Sequence, residues 1–314
     1  MNIQQLEYII AVDTHKHFIK AANACFVTQP TLSAMIQKLE EELAVKIFDR
    51  TSQPIMPTET GKLIIAQAKK IVAEVSALKN IASNSNDIIQ GDLSVGVIPT
   101  VAIYLLPMLA KLVAIYPKLN LHVREMTTES IIEKLRAGEL DAGILATPLH
   151  TRDLTEVELY IEPLRVFTSS ESANTKQYIL PGEIDPKKVW MLEEGHCLSK
   201  QFINYCKLKG SNSNALNMNF QTGSLETLLN MVEMYKGITV IPELAAQQLD
   251  DKRKLQLRNF KAPIPVRQIS LVSLRPHLKS KLNEVLKAFI IENIQPLLKA
   301  SKPKQGSFEV VEIR

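Results

Sequence analysis

Cysteine is scarce: Cys25, Cys197 and Cys206 are the three in 314 residues. An odd, low count excludes a disulfide-stapled scaffold and fits a reducing compartment, read here as the cytoplasm. Long apolar runs are also missing. The longest, such as Val101–Leu106, fall far short of the roughly 20 residues that span a bilayer, so no membrane partner is expected. Met1-Asn2-Ile3-Gln4-Gln5 has no basic segment leading into an apolar one, as a secretory signal would. No metal-ligand cluster, glycine-rich phosphate loop or Ser/His/Asp motif is present, so neither metal nor cofactor is expected. What is there is ordinary for a folded chain of two or three domains: 46% hydrophobic and 22% charged residues exclude disorder.

Charge gives little direction. The chain carries 37 Lys/Arg against 33 Asp/Glu, and residues 1–90 hold nine of each. Bulk charge therefore offers no reason to assign nucleic-acid binding to that segment, and motif must supply it. Nine Lys/Arg with no acid run from Lys252 to Lys281, read on pattern as a solvated face.

The first ninety residues read as short helices, a wing and one long helix. Leu6, Ile9, Ile10 and Val12 form one apolar stripe. Phe18, Ala21, Ala22 and Cys25 form another, with Cys25 as a core residue. After Thr28-Gln29-Pro30-Thr31, Leu32, Ile36, Leu39 and Leu43 step by helical spacings; proline is tolerated in a first turn. The outward face carries Gln29, Pro30, Thr31, Ser33, Gln37 and Lys38. Glutamine can pair with adenine edges, hydroxyls with bases or phosphates, and lysine with phosphates or guanine. This is the pattern of a helix-turn-helix on double-stranded DNA; an ordinary three-helix bundle with a polar outer face is the alternative. Val45–Phe48 and the residues to Thr58 read as a β wing, with Arg50, Thr51 and Ser52 as phosphate contacts. Beyond Thr58, Ile64, Ala68, Ile71, Val75, Leu78 and Ala82 repeat every three or four residues. That is a coiled-coil seam, with Ile64, Ile71, Val75 and Leu78 as dimerisation residues.

Ala21-Ala22, Thr28-Gln29-Pro30-Thr31-Leu32-Ser33, Leu39-Glu40-Glu41-Glu42-Leu43 and Pro57-Thr58-Glu59-Thr60-Gly61 together resemble the LysR-type transcriptional regulators, and the likeness covers nearly the whole chain. It implies an α/β protein with an N-terminal all-α winged helix-turn-helix and a two-lobed, periplasmic-binding-protein-like regulatory domain. The implied boundaries are 1–58 for DNA binding, 59–90 for the dimerising linker helix and 91–300 for regulation, with a tail at 301–314. Lobe I would be 91–163 and 268–300, and lobe II 164–267. Gln53-Pro54 stands where the family's wing commonly carries a basic residue. A homodimer, or a homotetramer of two dimers, is implied.

The remainder reads as strands and helices in alternation. Leu93–Ile98, Leu119–Val123 and Leu140–Ala146 are strands; Tyr104 to Tyr116 and Ile131–Ala137 are helices, the second ending at Gly138. Crossovers of this length imply a parallel sheet. Val189–Leu192, Asn219–Gln221, Ile238–Ile241 and Ile269–Leu274 extend it, with a helix at Glu226–Tyr235. Chain passages near 163–166 and 265–268 would divide the lobes, and Thr100 lies at a strand C-terminus, where open sheets bind ligands.

Cys197 follows Glu193-Glu194-Gly195-His196 at a strand-to-helix junction, nine residues before Cys206. A helix N-terminus favours a thiolate, and His196 and Lys200 add positive charge. A redox pair and two buried core cysteines both fit this pattern. Gly195-His196-Cys197 with Cys206, Ile98-Pro99-Thr100-Val101, Tyr104-Leu105-Leu106-Pro107 and Ser224-Leu225-Glu226-Thr227-Leu228 are similar to the hydrogen-peroxide-sensing subgroup of the LysR family. That likeness implies a peroxide-reacting Cys197 resolved by Cys206, with a cellular dithiol reductant restoring the thiols. It also implies Thr100, Thr128, His196 and Arg267 as supports of the peroxide site. Ser199-Lys200 replaces an Arg-Asp pair of the subgroup. If Ser199 to Cys206 is one helix, the cysteines lie roughly 13 Å apart. A disulfide needs Cα atoms within about 7 Å, so oxidation would unwind the helix. The competing readings are a metabolite-responsive LysR regulator with inert cysteines, and a thiol peroxidase. The second is disfavoured because an enzyme has no use for a helix-turn-helix.

Overall fold

The computed structural model describes residues 1–52, 54–83, 89–149, 151–169, 178–180, 182, 184–192, 198, 206, 222–274, 280–299 and 308–310. The chain divides into two compact units. One comprises Met1–Ile88 with Arg136–Glu139, and the other the rest.

In the first unit, α1 (Ile3–His15) begins with a capping box. The Asn2 side chain accepts from the Gln5 backbone N–H, and the Gln5 side chain accepts from that of Asn2. Helix α2 (Phe18–Ala24) is capped by His17, and α3 (Gln29–Glu42) by Thr28 with Pro30 in its first turn. Leu32, Ile36 and Leu39 of α3 bury completely beside Ile9, Val12 and Ala21. Cys25 sits at the C-cap of α2 and is half-buried against this core, not enclosed by it as the apolar stripe implies. The chain turns outward there, with Phe26 at positive φ and almost fully exposed. Strands β1 (Phe48–Asp49) and β2 (Met56–Pro57) pair antiparallel as the wing. Helix α4 (Glu59–Ser83) follows. Thr58 accepts from the Gly61 N–H at 2.9 Å, and a side chain at Gly61 would collide with the Ile47 carbonyl, so glycine is required there. The first half of α4 completes the unit's own core: Ile65 and Ala68 are buried, with Ile64, Ile71 and Val72 packed on it. The repeat that reads as one seam is therefore divided. Ala68 faces its own domain, whereas Leu78 is 67% exposed.

The second unit contains a nine-stranded sheet among the described residues. Its path is β4 (Leu119–Glu125), β3 (Gly91–Val97), β5 (Ala142–Thr147), β10 (Ile264–Leu274), β6 (Leu154–Thr168), β9 (Leu257–Phe260) and β7 (Tyr178–Ile179). β8 (Ile238–Pro242) pairs with β6, and β11 (Phe308–Val310) runs parallel to Ile264–Val266 of β10. The sheet is mixed, not parallel. β3 pairs parallel with β4 and β5, but the two long strands β6 and β10 are antiparallel to each other and β10 to β5. The reversed strand is β10, which lies between β5 and β6 and runs antiparallel to both, so β5 and β6 themselves point the same way. Val189–Leu192 forms only an isolated bridge, Val189 to Ile238, and Asn219–Gln221 lies outside the described residues.

Among the described residues, six further α-helices carry the packing: α5 (Pro99–Ile115), α6 (Thr128–Arg136), α7 (Leu225–Met234), α8 (Glu243–Gln247), α9 (Asp251–Lys254) and α10 (Ser280–Lys299). Two hydrophobic cores result. Val95, Val101, Leu105, Ile131, Ile144, Leu286 and Ile290 belong to one; Val166, Phe167, Trp190, Leu228, Val232 and Phe260 belong to the other. β6 contributes to both, passing from the first at Tyr160 to the second at Leu164. The basic run is not one solvated face: among the described residues Lys252, Lys254 and Lys261 are exposed, but Arg253 is paired with Glu226 and Glu233, and the alternation of β10 turns Arg267 wholly inward.

Candidate functional site

The outward face of α3 is built as its polar residues predict. Gln29, Pro30, Thr31, Gln37 and Lys38 are exposed and Ser33 is half-buried. Gln37 donates to Glu41 Oε1 at 2.9 Å, and the Thr28 and Thr31 hydroxyls lie 2.8 Å apart. In the wing, Asp49 organises the turn. Thr51 donates both its hydroxyl (2.6 Å) and its backbone N–H (2.9 Å) to Asp49 Oδ1, which holds that carboxyl below its usual range. Ser52 Oγ donates to the Asp49 carbonyl at 3.0 Å. Arg50 lies over the Phe18 ring, 5.3 Å from its centre, and donates to Ser33 Oγ at 3.3 Å and to Glu40 Oε2 at 3.4 Å.

Glu40 was not singled out by its sequence, yet it organises the wing. Its buried carboxylate accepts the Ile47 N–H at 2.8 Å and the Phe48 N–H at 3.3 Å through Oε1. Lys46 and Arg50 stand at 3.4 Å from Oε2. A signal existed: Glu40 lies four residues after Ile36 and one after Leu39, on the apolar face of α3, where an unpaired acid would not be tolerated.

In the regulatory unit, the structure brings Thr100 and Arg267 together. Arg267 Nη1 donates to Thr100 Oγ1 at 2.8 Å, and Nη2 reaches the Thr100 carbonyl at 3.4 Å. Thr100 lies in the first turn of α5, immediately beyond β3, because Pro99 starts that helix earlier than the apolar pattern indicates. Glu162 of β6 faces Arg267 across the β6–β10 pair. Its Oε1 accepts from Arg267 Nε at 2.9 Å and from the Tyr104 hydroxyl at 3.1 Å, and the Arg267 Nη2 lies 2.8 Å away. Its Oε2 accepts the Leu244 N–H at 3.3 Å. Tyr104 and Tyr160 hydroxyls are 2.7 Å apart. Since the Tyr104 proton goes to Glu162, Tyr160 donates to Tyr104. Burial first, and the Glu162 carboxylate next, push both phenols well above their ordinary range, so they act as neutral donors. For Arg267, burial opposes the charge, but Glu162 and the two tyrosines outweigh it and raise the guanidinium further. Tyr104 stands in a stretch that carries the subgroup likeness but had no role assigned, and Glu162 and Tyr160 carry no motif: the three meet because β6 pairs with β10 and α5 packs beside them.

Thr128 is buried at the first position of α6. Cys197 and His196 lie outside the described residues, as do residues 199–205. Cys206 is helical and buried in the second core with Leu198, Leu225 and Phe260. Burial raises its thiol to about 12. At neutral pH it is a thiol, not a nucleophile, as long as it stays in this core. Cys25, half-buried and near Glu7, is also raised.

Comparison with known proteins bears on this arrangement. Residues 3–62 match the bacterial regulatory helix-turn-helix protein, lysR family, and residues 87–295 match the LysR substrate binding domain. The chain is 38% identical over 274 residues to a hydrogen peroxide-inducible genes activator of Haemophilus influenzae, covering 87% of this chain and 90% of that protein. It is 38% identical over 275 residues to the DNA-binding transcriptional dual regulator OxyR of Escherichia coli, covering 87% and 89% respectively. Among solved structures, a full-length OxyR variant from Pseudomonas aeruginosa superposes with a TM-score of 0.77 at 31% identity, over 93% of this chain and 98% of that one.

Proposed function

The chain belongs to the LysR family of bacterial DNA-binding transcriptional regulators, and we propose that this member senses hydrogen peroxide through a reversible Cys197–Cys206 disulfide and thereby controls oxidative-stress genes. The observation that carries the proposal is the presence of this cysteine pair in a chain 38% identical to a hydrogen peroxide-inducible genes activator.

The chemistry runs in two steps. The Cys197 thiolate attacks one peroxide oxygen; an S–O bond forms, the O–O bond breaks, and the departing hydroxide takes a proton to leave as water. Cys206 then attacks the sulfenic sulfur, an S–S bond forms, and a second water leaves. One peroxide is reduced and two thiols are oxidised. A cellular dithiol reverses the change by exchange. Arg267 and Thr100 support this reading as a fixed donor pair at the C-terminal end of β3, and Thr128 and His196 complete the proposed surroundings of the peroxide.

Burial of Cys206 gives the switch its two states. Its thiol has to leave an apolar core, and shed an environment that holds it near 12, before it becomes a competent nucleophile. Disulfide formation therefore repacks the second core, and a local covalent event becomes a conformational one. DNA is read by α3 and the wing. The assembly is a homodimer or homotetramer held in part by Val75 and Leu78 of α4, the members of the repeat beyond Ile64 and Ile71, which pack on their own unit. A protein that turns over once per reduction acts as a sensor and not as an enzyme, and its place is the cytoplasm.

Peptide mapping by mass spectrometry after mild peroxide treatment tests this. The parent should yield a Cys197–Cys206 linked peptide. Cys197→Ser should not respond, because a serine hydroxyl is not ionised at neutral pH. Cys206→Ser should stop at sulfenic acid and proceed to overoxidation. An unmodified Cys197, or a bond to Cys25, would overturn the mechanism and favour a metabolite bound between the regulatory lobes.

A further inference from the structure

Glu40, Arg50 and Ser33 connect the core of the first unit to the face of α3. The two oxygens of Glu40 do different things. Oε1 holds the Ile47 and Phe48 N–H groups, which sets where the wing begins. Oε2 faces the two cations Lys46 and Arg50. Lys46 is 71% exposed and only loosely held, but Arg50 is fixed from three sides: by Glu40, by the Phe18 ring beneath it and by Ser33.

Hydroxyl chemistry then sets the consequence. A serine hydroxyl has one proton and two lone pairs, and an arginine can only donate. With Arg50 Nη1 donating to Ser33 Oγ, one Ser33 lone pair is occupied and the hydroxyl's direction is set, which leaves its proton and one lone pair to offer in fixed directions. No other hydrogen bond to Ser33 Oγ forms among the described residues. Ser33 is the fifth residue of α3, in the N-terminal half that a recognition helix presents to base edges.

We propose that Glu40 is a positioning residue that, acting through Arg50, fixes the direction of the Ser33 hydroxyl towards DNA. The oriented hydroxyl then discriminates among base edges in the major groove by where its proton and its free lone pair fall, which a freely rotating serine would not do. This rests on α3 as the DNA-reading helix. Arg50 thus contributes to sequence preference through Ser33, in addition to any phosphate it meets.

The test is selection of duplexes from a random-sequence pool by the full-length protein, followed by affinity measurements on a selected duplex and a shuffled one. Glu40→Gln keeps a carbonyl oxygen for the Ile47 and Phe48 N–H groups but turns an amide donor towards Arg50. Its melting temperature should stay near the parent's. Its ratio of selected to shuffled affinity should fall about tenfold, the size of one base contact. Ser33→Ala should relax the same base position. Arg50→Lys should do likewise, because an ammonium lacks the planar fork that reaches Glu40 and Ser33 together. Combining Glu40→Gln with Ser33→Ala should add nothing beyond Ser33→Ala alone. The proposal is overturned if Glu40→Gln keeps the parent's preference, or if it loses both duplexes equally along with melting temperature. If the parent enriches no sequence at all, the reading of α3 itself fails, a result that differs from either.

Discussion

Glu40 in the DNA-binding unit and Glu162 in the regulatory unit both have side chains with no solvent exposure, but their cations differ. Arg50 and Lys46, beside Glu40, remain 39% and 71% exposed, whereas Arg267, beside Glu162, is 0% exposed. The first carboxylate is a buried anchor with its counter-charges still in water, where phosphates and salt can compete for them. The second is a sealed pair. Its desolvation cost is offset only by close geometry and by the extra donors from Tyr104 and the Leu244 N–H. One arrangement suits a surface that must exchange partners with DNA. The other suits a fixed point where β6 pairs with β10 and Thr100 is held in place.

The largest effect should come from opening the sealed pair. Arg267→Ala leaves Glu162 charged and unpaired in the interior, and equilibrium unfolding in urea should register a loss of about 3–5 kcal/mol. Replacing both partners by apolar residues of similar volume should recover most of that. A loss from Arg267→Ala no larger than a surface pair's would remove the contrast with Glu40. An intermediate effect is expected at the anchor. Glu40→Ala strands the Ile47 and Phe48 N–H groups and should cost about 1–3 kcal/mol, with little dependence on salt because the lost bonds are buried. Strong salt dependence would mean that the cations, not the backbone donors, carry the stability. The smallest effect belongs to Arg253, whose partners Glu226 and Glu233 are 63% and 29% exposed. Arg253→Ala should cost at most about 1 kcal/mol, and added salt should shrink it further.

Much of the DNA-binding unit was legible in advance. Thr28, Pro30 and the Leu32, Ile36, Leu39 spacing mark α3 because a helix start and an apolar face are local properties of the chain. Thr58 and Gly61 likewise mark the entry to α4. The regulatory unit was harder to read. The strand at Leu154–Thr168 has charged residues among apolar ones because its two ends serve different cores, so it shows no single alternation. The run from Lys252 to Lys281 looked solvated because charge counting ignores which way a strand turns each side chain, and Arg267 is turned fully inward. In α4 the repeat reads as a dimer seam, and its first half packs on its own unit. Ala68 meets its own domain, while Leu78, ten residues further along the same stripe, is exposed.

Sequence alone determined the helices of the first unit, the polar face of α3 and the presence of a closely spaced cysteine pair, because each depends on spacing along the chain and on local backbone preference. Tertiary structure decided which charges meet. Glu40 and Arg50 are ten residues apart, Arg50 and Ser33 seventeen, and Glu162 and Arg267 one hundred and five. None of these distances has a period that a helix or strand would reveal. Burial depends on what the rest of the chain places around a side chain, and the strength of an ion pair depends on how much water that packing removes.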